Sequence, residues 1–214
     1  MVTVGDSPTA WAQAGFSMEG SATRIGSTTI VCDPAAGEGI TQVTIRGLDG
    51  PLDGLAITSD APPAVPNQTH ANGVSGFDHL VAMSPDIERT AGALRSAGLD
   101  RRRTRVFTVG KERRRQDFFW LGDVILELVG VAPSETETAE TVPDDSTRGR
   151  DVSPASFWGL ALECADLDTA AAELGDRLGR IKDAVQPGRR IATLRTRELG
   201  IGVPIALMSP HPRD

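Results

Sequence analysis

Two residues of this 214-residue chain place a functional side chain inside an apolar run. Glu127 lies within VILELVG (124–130), where a carboxylate is costly unless paired or bound to an ion. His79 lies within GFDHLVAM (76–83), a segment of strand character. An imidazole and a carboxylate suit either ligation of a divalent ion or metal-free acid–base work, and each needs a partner. His79 reads equally well as a hydrogen-bonded histidine of a core or cleft. Strand alternation in QDFFWLG puts Gln116, Phe118 and Trp120 on one face. In RRIATLR it puts Arg189, Ile191, Thr193 and Arg195 on one face, with Arg190, Ala192 and Leu194 opposite. Gln116, Phe118, Trp120, Trp158 and Arg190 are the candidate ligand-binding residues, suited to a planar or anionic small molecule. The aromatics serve equally as filling between a sheet and its helices. There is no G-x-G-x-x-G ahead of a helix, no P-loop, no G-x-S-x-G and no Cys/His metal spacing.

Composition bounds the setting. With 39% hydrophobic residues, 24% charged and a net charge of −7, the chain suits one large domain or two small ones and is not wholly disordered. No run of 18 apolar residues occurs, so no membrane span is expected. MVTVGDSPTAWAQ lacks a basic region followed by an apolar run, which predicts a cytoplasmic protein without a secretory signal. Cys32 and Cys164 read as small buried hydrophobes. The acidic balance argues against nucleic acid as a partner. It is uneven, however: residues 101–115 hold eight basic side chains against the single Glu112. That window is either a rim attracting an anionic ligand or a solvated hairpin whose arginines pair with acidic neighbours.

The elements that must position these residues come as a repeat. GFDHLVAMSPDIERTAGALRSAGL (76–99) matches SFWGLALECADLDTAAAELGDRLG (156–179) at a constant offset of 80. Each copy opens as a strand and turns into an amphipathic helix. In the first, Ser84 and Pro85 read as N-cap and N1, Gly98 as the stop, and Ile87, Ala91 and Leu94 as the core stripe. Each copy continues through a basic turn to an apolar strand, VILELVG or VPIALMS, making β-α-β-β-β modules over 76–132 and 155–210. Residues 49–75, rich in Pro and Gly, and the acidic 133–154 read as linkers, the second one flexible. Residues 1–48 read as a partial or circularly permuted third module, in which GEGITQVTI (37–45) is an opening strand displaced to the end.

The paired modules, with the D-H-L-V opening and the L-G-x-V-I-L-E-L-V ending, resemble the vicinal oxygen chelate superfamily of glyoxalases, bleomycin-resistance proteins and extradiol dioxygenases. Within that superfamily, the chain resembles glyoxalase-like proteins of actinobacterial type. The resemblance implies an α+β protein with curved mixed sheets around a cleft. It also implies a divalent ion (Zn, Ni, Mn or Fe) held by one ligand from the first strand and one from the last strand of each module. His79 and Glu127 match two of those positions. Gly159 and Ala206 match the other two and cannot ligate, so the set is incomplete; Gln42, aligned with His79 in the N-terminal segment, is the one candidate substitute.

Two functions follow from this resemblance. One is a glyoxalase-like lyase or isomerase acting on a small oxygenated substrate through His79 and Glu127. The alternative is a metal-free protein that binds or sequesters a small molecule. The residues leave open whether the chain is an enzyme. An odd number of modules in a fold that works in pairs predicts a homodimer.

Overall fold

A computed structural model of the chain describes residues 1–60, 65–133 and 152–211. Most of the expected acidic linker, 134–151, lies outside the described residues. The architecture is α+β, with two curled mixed sheets. The larger is an eight-stranded half-barrel built from two modules. The first runs β6 (Val74–Met83), α2 (Ile87–Ser96), β7 (Arg101–Val109), β8 (Glu112–Leu121) and β9 (Val124–Val131). The second runs β10 (Ser156–Cys164), α3 (Leu167–Leu174), β11 (Lys182–Asp183), β12 (Arg190–Thr193) and β13 (Ile205–Met208). In each module the opening strand pairs in parallel with the closing one, β6 with β9 and β10 with β13. The two opening strands then join antiparallel, giving the order β11-β12-β13-β10-β6-β9-β8-β7.

The helices form where the sequence caps them. Asp166 accepts the Asp168 and Thr169 amides at the start of α3, and Leu167, Ala170 and Leu174 face the core. In α2 the stripe of Ile87, Ala91 and Leu94 is buried, but the cap differs from the Ser84–Pro85 expectation. Asp86 caps the helix, accepting the Arg89 amide at 3.0 Å, while the Ser84 hydroxyl, 2.6 Å from that of buried Thr90, accepts the Asp86 amide at 3.1 Å. Gly98 at φ +89 provides the stop. Cys32 and Cys164 are free and buried, and burial, with the Asp6 charge second, pushes the Cys32 thiol up to about 12.

The N-terminal unit corrects the permuted reading. It runs β1 (Val2–Val4), α1 (Pro8–Gln13), β2 (Ala22–Ile25), β3 (Thr28–Cys32), β4 (Ile40–Thr44) and β5 (Ile57–Thr58), ordered β2-β3-β1-β4-β5. The opening strand is β1, which pairs in parallel with β3 as β6 does with β9. The 37–45 segment is not a displaced opening strand: β4 joins β1 antiparallel and carries β5 in parallel, just as β10 joins β6 and carries β13. The small sheet is thus an abbreviated copy of the large one, with its own second half. Its core is capped by Trp11, which is fully buried and donates its indole N–H to Asp6 at 3.0 Å.

The described parts of the stretch 49–75, residues 49–60 and 65–75, are more structured than the composition suggests. They contribute β5 and several buried polar anchors. His70 accepts the Ser17 amide at Nδ1 and contacts the Arg24 carbonyl at 2.9 Å through Nε2. Asn72 donates to the Ala14 carbonyl, and Asp53 binds Arg89 of α2 at 2.7 Å. Buried polar groups must be satisfied, so these bonds tie down the described residues on either side. Among the described residues, no helix is long and apolar enough to cross a membrane.

Candidate functional site

The half-barrel encloses a cleft of about 680 Å³ lined by both modules. His79, on β6, and Glu127, on β9, meet on its floor with Nε2 and Oε2 3.2 Å apart. Gln116 donates to the other Glu127 oxygen at 2.5 Å. Gln116 and Phe118 of β8 and Trp158 of β10 line the cleft, whereas Trp120 lines an adjoining pocket of about 210 Å³ that His79 also borders. Two candidates lie elsewhere. Arg190 points out of the cleft and is held by Asp168 at 2.7 Å, because on β12 it is Ile191 and Thr193 that face inward. Gln42 belongs to the small sheet, where it bonds to Thr58 at 3.1 Å.

Two unanticipated residues complete the site. Asp78 Oδ1 lies 2.7 Å from His79 Nδ1, and Asp78 Oδ2 lies 2.5 Å from the Arg189 guanidinium. Neighbouring strand residues ordinarily face opposite ways. Here a β-bulge intervenes: His79 pairs with Ala161 and Phe77 with Leu162, leaving Asp78 as the extra residue. The sister module has the same device, with Trp158 extra between Phe157 and Gly159, at the offset of 80. Arg189 is 1% exposed and also donates to the Ser209 carbonyl at 2.7 Å and meets His211 at 3.1 Å. Its alternation with Ile191 and Thr193 was a signal for it; nothing in the sequence marks the bulge.

The electrostatics follow from this chain of contacts. Burial alone would raise the Asp78 carboxyl, but hydrogen bonds from His79 and Arg189 outweigh it and hold it at about 2. With Nδ1 facing the Asp78 carboxylate and Nε2 facing Glu127, the His79 ring is held between two carboxylates. A carboxyl depressed in the folded state stabilises above its unfolded value of 3.8, and that stability is lost as pH falls through about 2. Acidification from pH 4 to 2 is therefore expected to remove up to about 2 kcal/mol through Asp78. Urea midpoints of the wild type and Asp78→Asn across that window check this; parallel curves would refute it.

Comparison with known proteins places the architecture. No family model and no curated protein matches the sequence. Among solved structures, a triple mutant of 4-hydroxymandelate synthase from Streptomyces coelicolor superposes with a TM-score of 0.56 at 13% identity, over 90% of this chain and 80% of its own. A xylose isomerase-like TIM barrel/4-hydroxyphenylpyruvate dioxygenase fusion protein gives 0.59 at 14% identity, over 100% of this chain and 48% of its own. The chain has the vicinal oxygen chelate fold. Methylmalonyl-CoA epimerase from Mycobacterium tuberculosis also matches, at 18% identity over 65% of this chain and 91% of its own, with a TM-score of 0.46.

The residues present do not fit the metal centre implied for that fold. Of the four ligand positions, only His79 and Glu127 carry donors, and they face each other at 3.2 Å. A Cβ on Gly159 would sit 2.9 Å from the Pro204 carbonyl oxygen, so backbone occupies that ligand position, and Ala206 offers only a methyl group. Gln42 lies in the wrong sheet to substitute. Among the described residues, no group of three or more His, Cys, Asp or Glu is arranged to hold an ion.

Proposed function

We propose that this chain is a glyoxalase-like, metal-free small-molecule-binding protein, akin in function to the drug-sequestering members of the vicinal oxygen chelate superfamily. The carrying observation is the asymmetry of the cleft: one module supplies two donor side chains, while the other supplies Gly159, backed by Pro204, and Ala206. A cleft that holds its ligand by shape, aromatic surface and charge needs no ion. The reading includes a cytoplasmic location and no nucleic-acid partner, in keeping with the net charge of −7. The homodimer expected from an odd number of modules loses that ground, since β4 and β5 add an abbreviated fourth module within one chain.

Elemental analysis of untagged protein, joined to a thermal-shift screen, tests the proposal. The expected result is no stoichiometric ion and no change in Tm with Mn, Fe, Ni, Zn or a chelator, alongside stabilisation by small organic ligands. A stoichiometric ion lost in both His79→Ala and Glu127→Ala would overturn it. One observation favours a second reading, a lyase or isomerase: the His79 imidazole, oriented by Asp78 and facing Glu127, suits proton transfer to or from a bound oxygenated substrate. Under that reading, turnover of a hydroxy-ketone or hemithioacetal vanishes in His79→Ala. Under the first, ligand affinity changes only moderately.

A further inference from the structure

We propose that the cleft takes an organic anion, with its acidic group held by Arg103 and Arg105 on β7 rather than at the His79–Glu127 floor. This rests on the small-molecule reading above and names the ligand class. Charge in the cleft is segregated: every charged or titratable lining residue, His79, Glu127, Arg103 and Arg105, comes from the module of β6–β9. The facing wall carries no charge and is mostly apolar, with Trp158, Leu160, Ile191, Ile205 and Met208 beside Gln186 and Thr193. Trp158 is 52% exposed, a large apolar surface left open at the cleft.

Within the basic hairpin, pairing follows orientation. Arg101 and Arg115 hold Asp117, Arg115 also holds Glu88, and Arg114 holds Glu112. Arg103 and Arg105 face the cleft, and among the described residues neither has a carboxylate partner. Arg105 makes one 3.4 Å contact with the Gln116 carbonyl oxygen and lies 5.0 Å from the Phe107 ring centroid. Glu127, by contrast, is already answered by His79 and Gln116. A carboxylate whose donors are already taken offers an anionic group only repulsion, while the two arginines attract it. In register, Arg103 faces Phe118 and Phe118 faces Glu127, so two strand spacings, about 10 Å, separate attraction from repulsion. An anion with a flat apolar body therefore lies over Phe118, its acidic end toward β7 and its body toward Trp158.

A matched pair of probes tests this on the whole chain: 8-anilinonaphthalene-1-sulfonate and its uncharged counterpart N-phenyl-1-naphthylamine. The sulfonate is expected to bind once per chain, about tenfold tighter than the neutral probe, and to weaken with added salt. Arg103→Gln/Arg105→Gln is expected to abolish that preference without altering neutral-probe affinity; Arg190→Gln, on the outer face, leaves both unchanged. Equal affinities in the wild type would overturn the proposal, and this comparison does not depend on any variant folding. Sulfonate binding at several sites, insensitive to the double substitution, would overturn it as well. If neither probe binds, it is the small-molecule reading itself that falls.

Discussion

Arg189→Met is expected to destabilise the protein by about 3–5 kcal/mol and to disorder His79. Arg189 is buried, and its guanidinium reaches Asp78, the Ser209 carbonyl and His211. Methionine matches much of its length but none of its donors. Asp78, buried at the bulge, would keep its charge with only His79 to answer it, and an unpaired buried charge is the costly outcome of breaking such a pair. The Asp78 carboxyl is then expected to rise from about 2, because burial, which already opposes ionisation, is left with His79 alone as its counterweight once Arg189 is gone. Urea denaturation near pH 7 measures the loss. Adding Asp78→Asn to Arg189→Met removes the stranded charge and is expected to recover part of it. A loss below about 1 kcal/mol, or no recovery in the double variant, would mean that Arg189 does not sustain the Asp78–His79 contact.

Asp117→Ala is expected to cost a similar 3–5 kcal/mol, with the damage centred on the wall that carries Arg103 and Arg105. Asp117 is fully buried in β8, on the face away from Gln116 and Phe118. It accepts from Arg115 Nε at 2.9 Å, Arg115 Nη2 at 2.5 Å, Thr104 at 2.7 Å and Arg101 at 3.2 Å. Burial opposes its ionisation, yet these donors hold its carboxyl below the usual range. Arg115 is 6% exposed and, without Asp117, would keep Glu88 of α2 as its remaining partner. The substitution therefore loosens β7 from β8 and both from the helix. Urea midpoints give the magnitude, and amide exchange gives the place: protection is expected to fall first in β7, with β10 and β13 unaffected. Uniform loss across the half-barrel, or a cost under about 1 kcal/mol, would show that Asp117 does not anchor this wall.

How much of this was legible in the sequence depends on whether the cause was local. The β-α-β-β-β modules were readable because each element advertises itself within ten residues. Ile87, Ala91 and Leu94 recur at helical spacing, and Gln116 and Phe118 alternate with Asp117 and Phe119. His79 and Glu127 stood out because polar groups in apolar runs need partners, and they are each other's partner. Which pairs with which was not local. The three residues of β1 carry too little pattern to outweigh the longer 37–45 segment, and only burial against β3 makes β1 the opening strand. Arg190 and Arg189 are adjacent and chemically identical, so composition favours neither; the inward turn of Ile191 and Thr193 sends Arg189 in and Arg190 out. A bulge adds one residue with no signature of its own, and so brings Asp78 to His79 against simple alternation. The sequence alone determined the modules and the residue types available for chemistry. The tertiary structure decided their register, because strand pairing and side-chain burial are settled between segments distant in the chain.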